Sequence, residues 1–469
     1  MLSQNDPQKR AKSLLLVVLM LASLMTVFAA PASASMARNY TAGRDPQDIA
    51  IADFDGDGHN DMAIATDGTH TITILWNDGN GNFWERSDVW ITGNASRNAD
   101  WDEFSNAQFV EVGEFTGDTN PDIAIYQRNN PFKTDDNGAP ASEPGNLTIL
   151  ENDGQGTRTF SVGSRFTHFW AWDIEVGDFN QDGDDDVAIL SLAADITTQY
   201  AVVYEGPISC TESAGNPLSC GDWINLGQAS QYSYREFEIG DWGETQNILP
   251  SGTCTDDDLF LMRSEGVDYS TGQTTNPGNS DNVTVIEYNC QTNSFPTSMQ
   301  LANPNIVQMD APWGGFDIAD MDGDGIIDVM AMTEGNVRNN TYVTSSSPGT
   351  WSNPQVVNFG PYIAFDVTVE DMNNDGHPDF VNPTIAFQQD STDSAGGTTS
   401  NYYLNFPSTV QVTLSTGANQ YTNPLSYETG RRPSMAAVGQ LAGGTSSALD
   451  IAVATTSYNF GSWVDNFGW

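Results

Sequence analysis

The chain has 469 residues, of which 38% are hydrophobic and 10% aromatic, so it is long enough to bury a sizeable core. Its net charge of -46 argues against nucleic acid or an anionic membrane as a partner, because both are bound through basic patches.

The N-terminus has the pattern of a targeting segment. Basic residues within 9–12 precede an apolar run at 14–30, and the small residues of 32–34 offer a cleavage site. We predict that 1–34 is a signal peptide and that the protein is secreted or held at the cell surface, without membrane insertion after cleavage. An uncleaved signal anchor is the alternative. No later stretch has the roughly 18 consecutive apolar residues that a membrane span needs.

One pattern then repeats along the chain: an apolar strand, an acidic glycine-containing turn and a second apolar strand. The first copy is DIAIADFDGDGHNDMAIAT at 48–66. Clear further copies are VEVGEFTGDTNPDIAIY, IEVGDFNQDGDDDVAIL, FDIADMDGDGIIDVMAM and VTVEDMNNDGHPDFVNP, and weaker ones begin FEIGDW and AAVGQL. The turns start, on average about 64 residues apart, at Asp53, Glu114, Asp178, Asp241, Asp320, Asp371 and Gln440.

Each repeat contains four short strand patterns. In the first they are QDIAIADF, DMAIAT, HTITILW and SDVWITG, with a hairpin NDGNGNF that returns in the second repeat as NDGQGTRTF. Four strands per repeat and no helical pattern predict an all-β fold, a seven-bladed β-propeller of four-stranded blades. A solenoid is the alternative, but no capping units are visible. The expected blades are 46–93, 106–168, 171–230, 235–303, 313–360, 362–430 and 433–469.

The last repeat is one strand short, and the N-terminus offers the missing strand. NYTAGRDPQDIAI at 39–51 matches SYETGRRPSMAAV at 426–438 in the spacing of Tyr, Gly, Arg and Pro. The second copy is the outer strand of one blade running into the next. We therefore expect 37–43 to be the outer strand of the last blade, which would close the ring and remove an exposed edge.

These turns and strands resemble the FG-GAP/VCBS repeats of the integrin α-subunit propeller and of many secreted bacterial and archaeal proteins. The resemblance covers about 37–469 and rests on the DxDxDGxxD turns between apolar strands. It implies a calcium-binding propeller. Relatives of this kind include adhesion modules, lectins and propellers that cleave polysaccharides, so the resemblance leaves the activity open.

The acidic turns suit calcium, which takes six to eight hard oxygen ligands in a flexible cage. Positions 1, 3, 5 and 9 of the turn offer side-chain oxygens, position 7 offers its backbone carbonyl, and glycine at position 6 allows the sharp bend. The predicted ligands of about four Ca²⁺ ions are Asp53, Asp55, Asp57, His59, Asp61; Asp178, Asn180, Asp182, Asp184, Asp186; Asp320, Asp322, Asp324, Ile326, Asp328; and Asp371, Asn373, Asp375, His377, Asp379. Magnesium is less favoured because it demands stricter octahedral geometry.

The other three turns depart from this pattern. The second has Thr119 in place of glycine, the fourth is split by an insertion, and the seventh lacks the acids. We expect the seventh to bind no ion, and binding by the second is doubtful. Disulfides 210–220 and 254–290 are plausible in an oxidising compartment, although sequence leaves the other pairings open.

Long insertions at 94–106, 128–144, 268–281 and 388–401 are expected on the face opposite the turns. They carry Trp101, Phe104, Phe132 and Tyr269 among polar residues, which suits an extracellular protein or carbohydrate partner, or they are simply decoration. The chain lacks the short motifs of nucleophilic, zinc or nucleotide enzymes. Adhesion or recognition is therefore the preferred function. The alternative is a polysaccharide lyase or glycosidase that uses the abundant carboxylates.

Overall fold

The computed structural model divides into a short unit, Met1–Asn39, and a compact unit, Tyr40–Trp469, which contains every strand. The residues described are 38–43, 46–66, 71–91, 106–128, 145–154, 156–193, 197–208, 221–230, 232–242, 257–265, 267–268, 273–274, 282–289, 294–297, 305–308, 312–333, 339–347, 350–358, 362–364, 366–386, 408–417, 420–429, 433–442 and 448–455. The signal peptide, all four cysteines and the insertion aromatics predicted above lie outside these residues. Within them there is no helix of the length and apolarity that a bilayer span requires.

The first blade is an antiparallel sheet in the order β1–β2–β3–β4. Its strands are β1 (Pro46–Ala52), β2 (Asp61–Thr66), β3 (Thr71–Trp76) and β4 (Glu85–Trp90). β2 and β3 are buried almost throughout, whereas β4 alternates exposed and half-buried residues, as expected for an outer strand.

The second and third blades share one long strand, β8. Its first part pairs with β7 and its second part with β9, so the outer strand of one blade continues as the inner strand of the next. The strands of these blades are β5 (Asn106–Gly113), β6 (Asp122–Arg128), β7 (Gly145–Asn152), β8 (Phe160–Gly177), β9 (Asp186–Leu192), β10 (Thr198–Tyr204) and β11 (Asp222–Gln228).

The next three blades keep the four-stranded plan with small additions. Blade four is β12–β13–β16–β17 and blade five is β18–β19–β20–β23, while in blade six the inner strand is split into β24 and β25. The strands, including short accessory hairpins, are β12 (Tyr232–Gly240), β13 (Asp258–Glu265), β14 (Val267–Asp268), β15 (Gln273–Thr274), β16 (Asn282–Ile286), β17 (Asn305–Gln308), β18 (Pro312–Ala319), β19 (Asp328–Thr333), β20 (Asn339–Val343), β21 (Ser345–Ser347), β22 (Thr350–Trp351), β23 (Gln355–Asn358), β24 (Tyr362–Ala364), β25 (Thr368–Glu370), β26 (Asp379–Ala386), β27 (Ser408–Thr413) and β28 (Leu425–Glu428).

Among the described residues the structure has six four-stranded blades, so the predicted count of seven is not confirmed. The seventh repeat contributes a two-stranded sheet, β29 (Pro433–Gly439) and β30 (Asp450–Thr455). The described residues 38–43, expected to be the outer strand of the last blade, form no strand, and 456–469 lie outside the described residues.

The first strand of each repeat lies innermost. β1, β5, β8, β12, β18, β25 and β29 contact one another in succession, and β29 contacts β1 in turn. The hydrophobic core lies between blades. One cluster joins Ile72, Ile74 and Trp76 of blade one to Ile123 and Ile125 of blade two, and another joins blade one to Leu441 and Ala452 of the last repeat.

Carboxylates on these inner strands fasten one blade to the next. Backbone N–H groups donate to side-chain oxygens of the preceding blade in four places: Val110 to Asp48 Oδ2 (2.9 Å), Phe237 to Asp173 Oδ2 (3.1 Å), Phe316 to Glu236 Oε2 (3.2 Å) and Val369 to Asp317 Oδ2 (2.6 Å). We call these four contacts the inner-strand clasps. The alternation of the strand turns these acids toward the ring axis, and its apolar residues toward the neighbouring blades.

Candidate metal centres

The acidic turn of blade one is a compact loop held by its own carboxylates. The N–H groups of Asp57 and Gly58 donate to Asp53 Oδ1 (3.0 Å) and Oδ2 (2.8 Å). Gly56 and Gly58 have φ of 72° and 89°, which L side chains rarely adopt, so glycine permits the bend. The turn therefore gathers its acids around one point while the chain reverses.

In two blades three carboxylates converge. Asp53, Asp55 and Asp57 each offer an oxygen within 4.8 Å of the others, and Asp320, Asp322 and Asp328 do the same in blade five. Hard carboxylate oxygens on a short flexible loop are the donor set that calcium prefers, so the residues present fit the ion. The two remaining predicted ligands of blade five contact each other: Asp324 accepts the N–H of Ile326 (3.0 Å).

The turns of blades three and six have the same backbone. In blade three the N–H groups of Asp182 and Gly183 donate to Asp178 (both 3.1 Å), and the Asp182 N–H also reaches Asn180 Oδ1 (2.9 Å). In blade six Asp375 and Gly376 donate to Asp371 (3.0 and 2.7 Å). An asparagine amide at position 3, Asn180 or Asn373, replaces a carboxylate in these two blades.

The position 7 residues are His59, Asp184, Ile326 and His377, and each donates its own N–H to the carboxylate at position 5. The imidazoles lie against hairpin glycines: a Cβ added at Gly79 would be 2.5 Å from His59 Nε2, and one at Gly417 would be 2.8 Å from His377 Nε2. Both rings thus pack against a hairpin, and the role of these residues through the backbone carbonyl stays a prediction.

The turn of blade two satisfies itself differently. Glu114 Oε1 accepts N–H groups from Thr116 (3.2 Å), Gly117 (2.7 Å) and Asp118 (2.9 Å). Thr119 occupies the glycine position with φ of 72°. A single glutamate oxygen thus accepts from positions 3, 4 and 5, whereas the two aspartate oxygens of blade one accept from positions 5 and 6.

The aspartate at position 9 has a structural role that the sequence did not reveal. In blade one Asp61 is 1% exposed and accepts the N–H groups of Phe54 (3.2 Å) and Asn77 (2.7 Å). In blade four, whose turn is split by an insertion, Asp258 accepts those of Trp242 (3.2 Å) and Tyr288 (2.9 Å). The same double acceptance occurs at Asp122, Asp186, Asp328 and Asp379.

These position 9 aspartates tie the turn to the end of the third strand in each blade. Their recurrence where the other acids are missing was the signal in the sequence that could have identified this role. Burial raises the pKa of Asp61, Asp186 and Asp328 to about 7, and that of Asp122 and Asp379 to about 6. A divalent cation beside such a carboxylate would favour its ionised form.

Two turns also contact a neighbouring blade through the backbone carbonyl at position 2. Phe54 O accepts from Asn152 Nδ2 (2.8 Å) of blade two, and Leu441 O of the last repeat accepts from Asn77 Nδ2 (2.8 Å) of blade one. Asn77 and Asn152 begin the two NDG hairpins noted in the sequence. The repeated hairpin is therefore an interblade contact as well as a chain reversal.

Comparison with known proteins agrees with this architecture. The FG-GAP-like repeat family matches residues 41–125 and 320–381, which include the turns of repeats one, two, five and six. No curated protein matches the chain.

Solved structures with a related arrangement include BBS1N in complex with ARL6DN (10% identity, 90% of this chain and 96% of that chain, TM-score 0.45) and the Dos1 propeller (10%, 90% and 95%, 0.44). The V. cholerae biofilm matrix protein Bap1 is more distant (13%, 74% and 74%, 0.29). At these TM-scores the likenesses carry no argument about activity. The repeated turns, the four-stranded blades and the family match support an FG-GAP repeat β-propeller.

Proposed function

We propose that this propeller is secreted or surface-exposed, is stabilised by about four calcium ions, and acts as an adhesion or recognition module for an extracellular protein or carbohydrate. The observation that carries the proposal is the convergence of three carboxylates in the same turn of two different blades. The N-terminal targeting pattern supports the extracellular location. A propeller whose long insertions lie on one face, as the sequence predicts, would be a suitable scaffold for recognition.

The calcium part is tested on ion-stripped protein. Elemental analysis after equilibration with calcium should give about four ions per chain, and calorimetry should show a higher melting temperature with calcium than with magnesium. Asp320→Asn should lower the ion count by one, while Asp88→Asn, on an outer strand, should leave it unchanged. A melting temperature that is the same with and without calcium would refute the proposal.

The recognition part is tested by a glycan array and by pull-down from extracellular material, each with and without chelator. Loss of the insertions at 128–144 and 388–401 should abolish binding while the melting temperature is retained. If such truncated protein still binds its partner with unchanged affinity, the insertions are not the recognition surface.

A polysaccharide-active enzyme is the second candidate, and one observation favours it. Burial and neighbouring carboxylates raise the pKa of Glu111, Glu175 and Glu238 well above the usual range. Glycosidases use a protonated carboxylic acid as general acid together with a second, ionised carboxylate. Release of reducing ends from polysaccharides, lost in Glu175→Gln, would favour the enzyme. Binding without turnover favours the recognition module.

The last repeat supports the inference of a seventh blade. Its strands contact both blade six and blade one, and Tyr40, from the start of the compact unit, donates through its hydroxyl to Gly81 O of blade one (3.1 Å). Under this proposal 456–469 and 37–43 complete the blade. Removing 456–469 should then lower the melting temperature by several degrees, and an unchanged value would contradict the closure.

A further inference from the structure

Arg158 joins blade two to the first acidic turn. Its Nε donates to Asp55 Oδ2 (2.7 Å) and its Nη1 donates to Glu85, while the guanidinium carbon lies 5.0 Å from the ring centroid of Trp76. These three partners belong to three different elements of blade one. Arg158 itself has φ of 54°, which is uncommon for a residue other than glycine, so the hairpin holds it in a defined place.

Both carboxylate oxygens of Asp55 accept hydrogen bonds, one from Arg158 and one inside the turn. The residue is 7% exposed, and its Oδ1 accepts the N–H of Asp57 (3.1 Å) inside the turn. Its backbone carbonyl accepts the N–H of Gly156 (2.7 Å) from the same hairpin as Arg158. Oδ1 of Asp55 thus faces the turn where the ion is predicted, and Oδ2 faces the guanidinium of Arg158.

The turn of blade five provides the comparison. It contains the same kind of three-carboxylate cluster, but its position 3 residue, Asp322, is exposed, and among the described side chains none of Asp320, Asp322 and Asp324 is paired with a lysine or arginine. Clustered acids without a fixed positive charge beside them repel one another, so we expect that turn to need an added cation.

We propose that Arg158 is the built-in counter-ion of the first turn: it neutralises Asp55 and fastens the turn to blade two, so that this turn stays docked without a divalent ion. A fixed positive charge beside the cluster also weakens its attraction for calcium relative to blade five, because like charges repel at short range. Arginine suits the role because its planar guanidinium bonds two carboxylates and stacks on an aromatic ring at once, which lysine cannot do. The calcium part of this inference rests on the function proposed above; the docking part does not.

The test compares melting temperatures in chelator and in calcium for the wild type, Arg158→Gln, Asp55→Asn and the double variant. Arg86→Gln is the control for net charge, since Arg86 pairs with Asp88 on an outer strand, away from the turn. Asp322→Asn is the control for loss of a position 3 acid that has no arginine partner. Calcium affinity of the first turn is followed by terbium luminescence excited through tryptophan, after subtraction of the Asp55→Asn signal.

In chelator we expect Arg158→Gln to melt about 3–5 °C below the wild type, because a buried carboxylate loses its partner. Most of this loss should vanish in the Asp55→Asn background, where no charge needs balancing. With Arg158→Gln the first turn should bind terbium about tenfold more tightly, and calcium should restore the melting temperature.

Three results would overturn the proposal: equal melting of Arg158→Gln and Arg86→Gln in chelator, full additivity with Asp55→Asn, or weaker terbium binding without the arginine. The first two contradict the docking role and the third contradicts the competition with the ion. If calcium changes nothing in the wild type, the calcium function fails, and the chelator measurements still decide whether Arg158 is the counter-ion.

Discussion

The backbone N–H of Val369 lies 2.6 Å from Asp317 Oδ2, so a carboxylate on the inner strand of blade five accepts a hydrogen bond from the inner strand of blade six. The contact is one of the four inner-strand clasps, which recur around the ring. The same aspartate accepts the N–H of Ile318 on its other oxygen (2.7 Å). Acids that would be unfavourable in a buried ring thus hold it together by accepting otherwise unpaired backbone groups.

Asp317→Ala should lower the free energy of unfolding by about 1–3 kcal/mol, because the Val369 N–H, on a residue 6% exposed, loses its acceptor. Asp317→Asn should be less harmful, since its amide oxygen can still accept that bond while a negative charge leaves the ring. Urea denaturation at pH 7.5 measures both. Asp88→Ala, at an exposed ion pair, is the control and should change stability by less than about 1 kcal/mol. Equal losses in the two Asp317 variants would show that the hydrogen bond accepted by residue 317 contributes nothing to stability.

The inner-strand acids also predict an unusual dependence of stability on pH. Burial raises the pKa of Asp48 to about 6 and that of Asp317 to about 7. Burial, and after it neighbouring carboxylates, raises the pKa of Glu111, Asp173 and Asp366 well above the usual range. Between about pH 4 and 7 the folded protein therefore binds more protons than the unfolded chain. Its free energy of unfolding should fall as the pH rises through this window.

This prediction is measured by urea denaturation of ion-stripped protein at several pH values. Asp48→Asn should flatten the curve, by at most about 3 kcal/mol over the window, because a shift of about two pKa units has that size. Asp88→Asn, which removes an exposed acid, should leave the slope unchanged. Parallel curves for wild type and Asp48→Asn would contradict the assignment.

Much of this structure was predictable because the repeat encodes its turns locally. The glycines at φ above 70° and the acids between them specify the loop, and the apolar runs on either side specify the first two strands of a blade. The clasps were not predictable. Asp48 and Asp173 sit in alternating strands where an acid suggests a solvent-facing position, and local spacing does not reveal that each accepts a backbone N–H from the next blade.

The ion pair of Arg158 was missed, whereas the count of seven blades is not confirmed. A repeat becomes a four-stranded blade only when every strand finds a neighbour, and the seventh provides two strands among the described residues. Arg158 lies about 100 residues from Asp55, within a hairpin whose pattern predicts only a chain reversal. Residues that meet only through packing between blades cannot be paired from their spacing in the sequence.

Thr119→Gly should stabilise the protein. Thr119 has φ of 72°, a conformation that is strained for a β-branched residue, whereas the glycines at this position in other turns adopt φ of 86–92° without strain. The expected gain is about 1 kcal/mol, measured by thermal or urea unfolding in chelator. Gly58→Thr is the reverse substitution in blade one and should destabilise. A loss of stability in Thr119→Gly would mean that the turn is held in shape by the threonine itself.

The position 9 aspartates give the sharpest separation between folding and ion binding. Asp258→Ala leaves the N–H groups of Trp242 and Tyr288 without acceptors. It should therefore lower the free energy of unfolding by about 2–5 kcal/mol, even though the turn of its blade is split by an insertion. Asp61→Ala should cost a similar amount in chelator. Asp57→Ala, which removes an exposed acid, should cost less than about 1 kcal/mol in chelator and show its effect only when calcium is added. Chemical denaturation with and without calcium distinguishes the three. If Asp258→Ala proved nearly neutral, the recurring aspartate would have no structural role, and its presence in the degenerate repeats would lose its explanation.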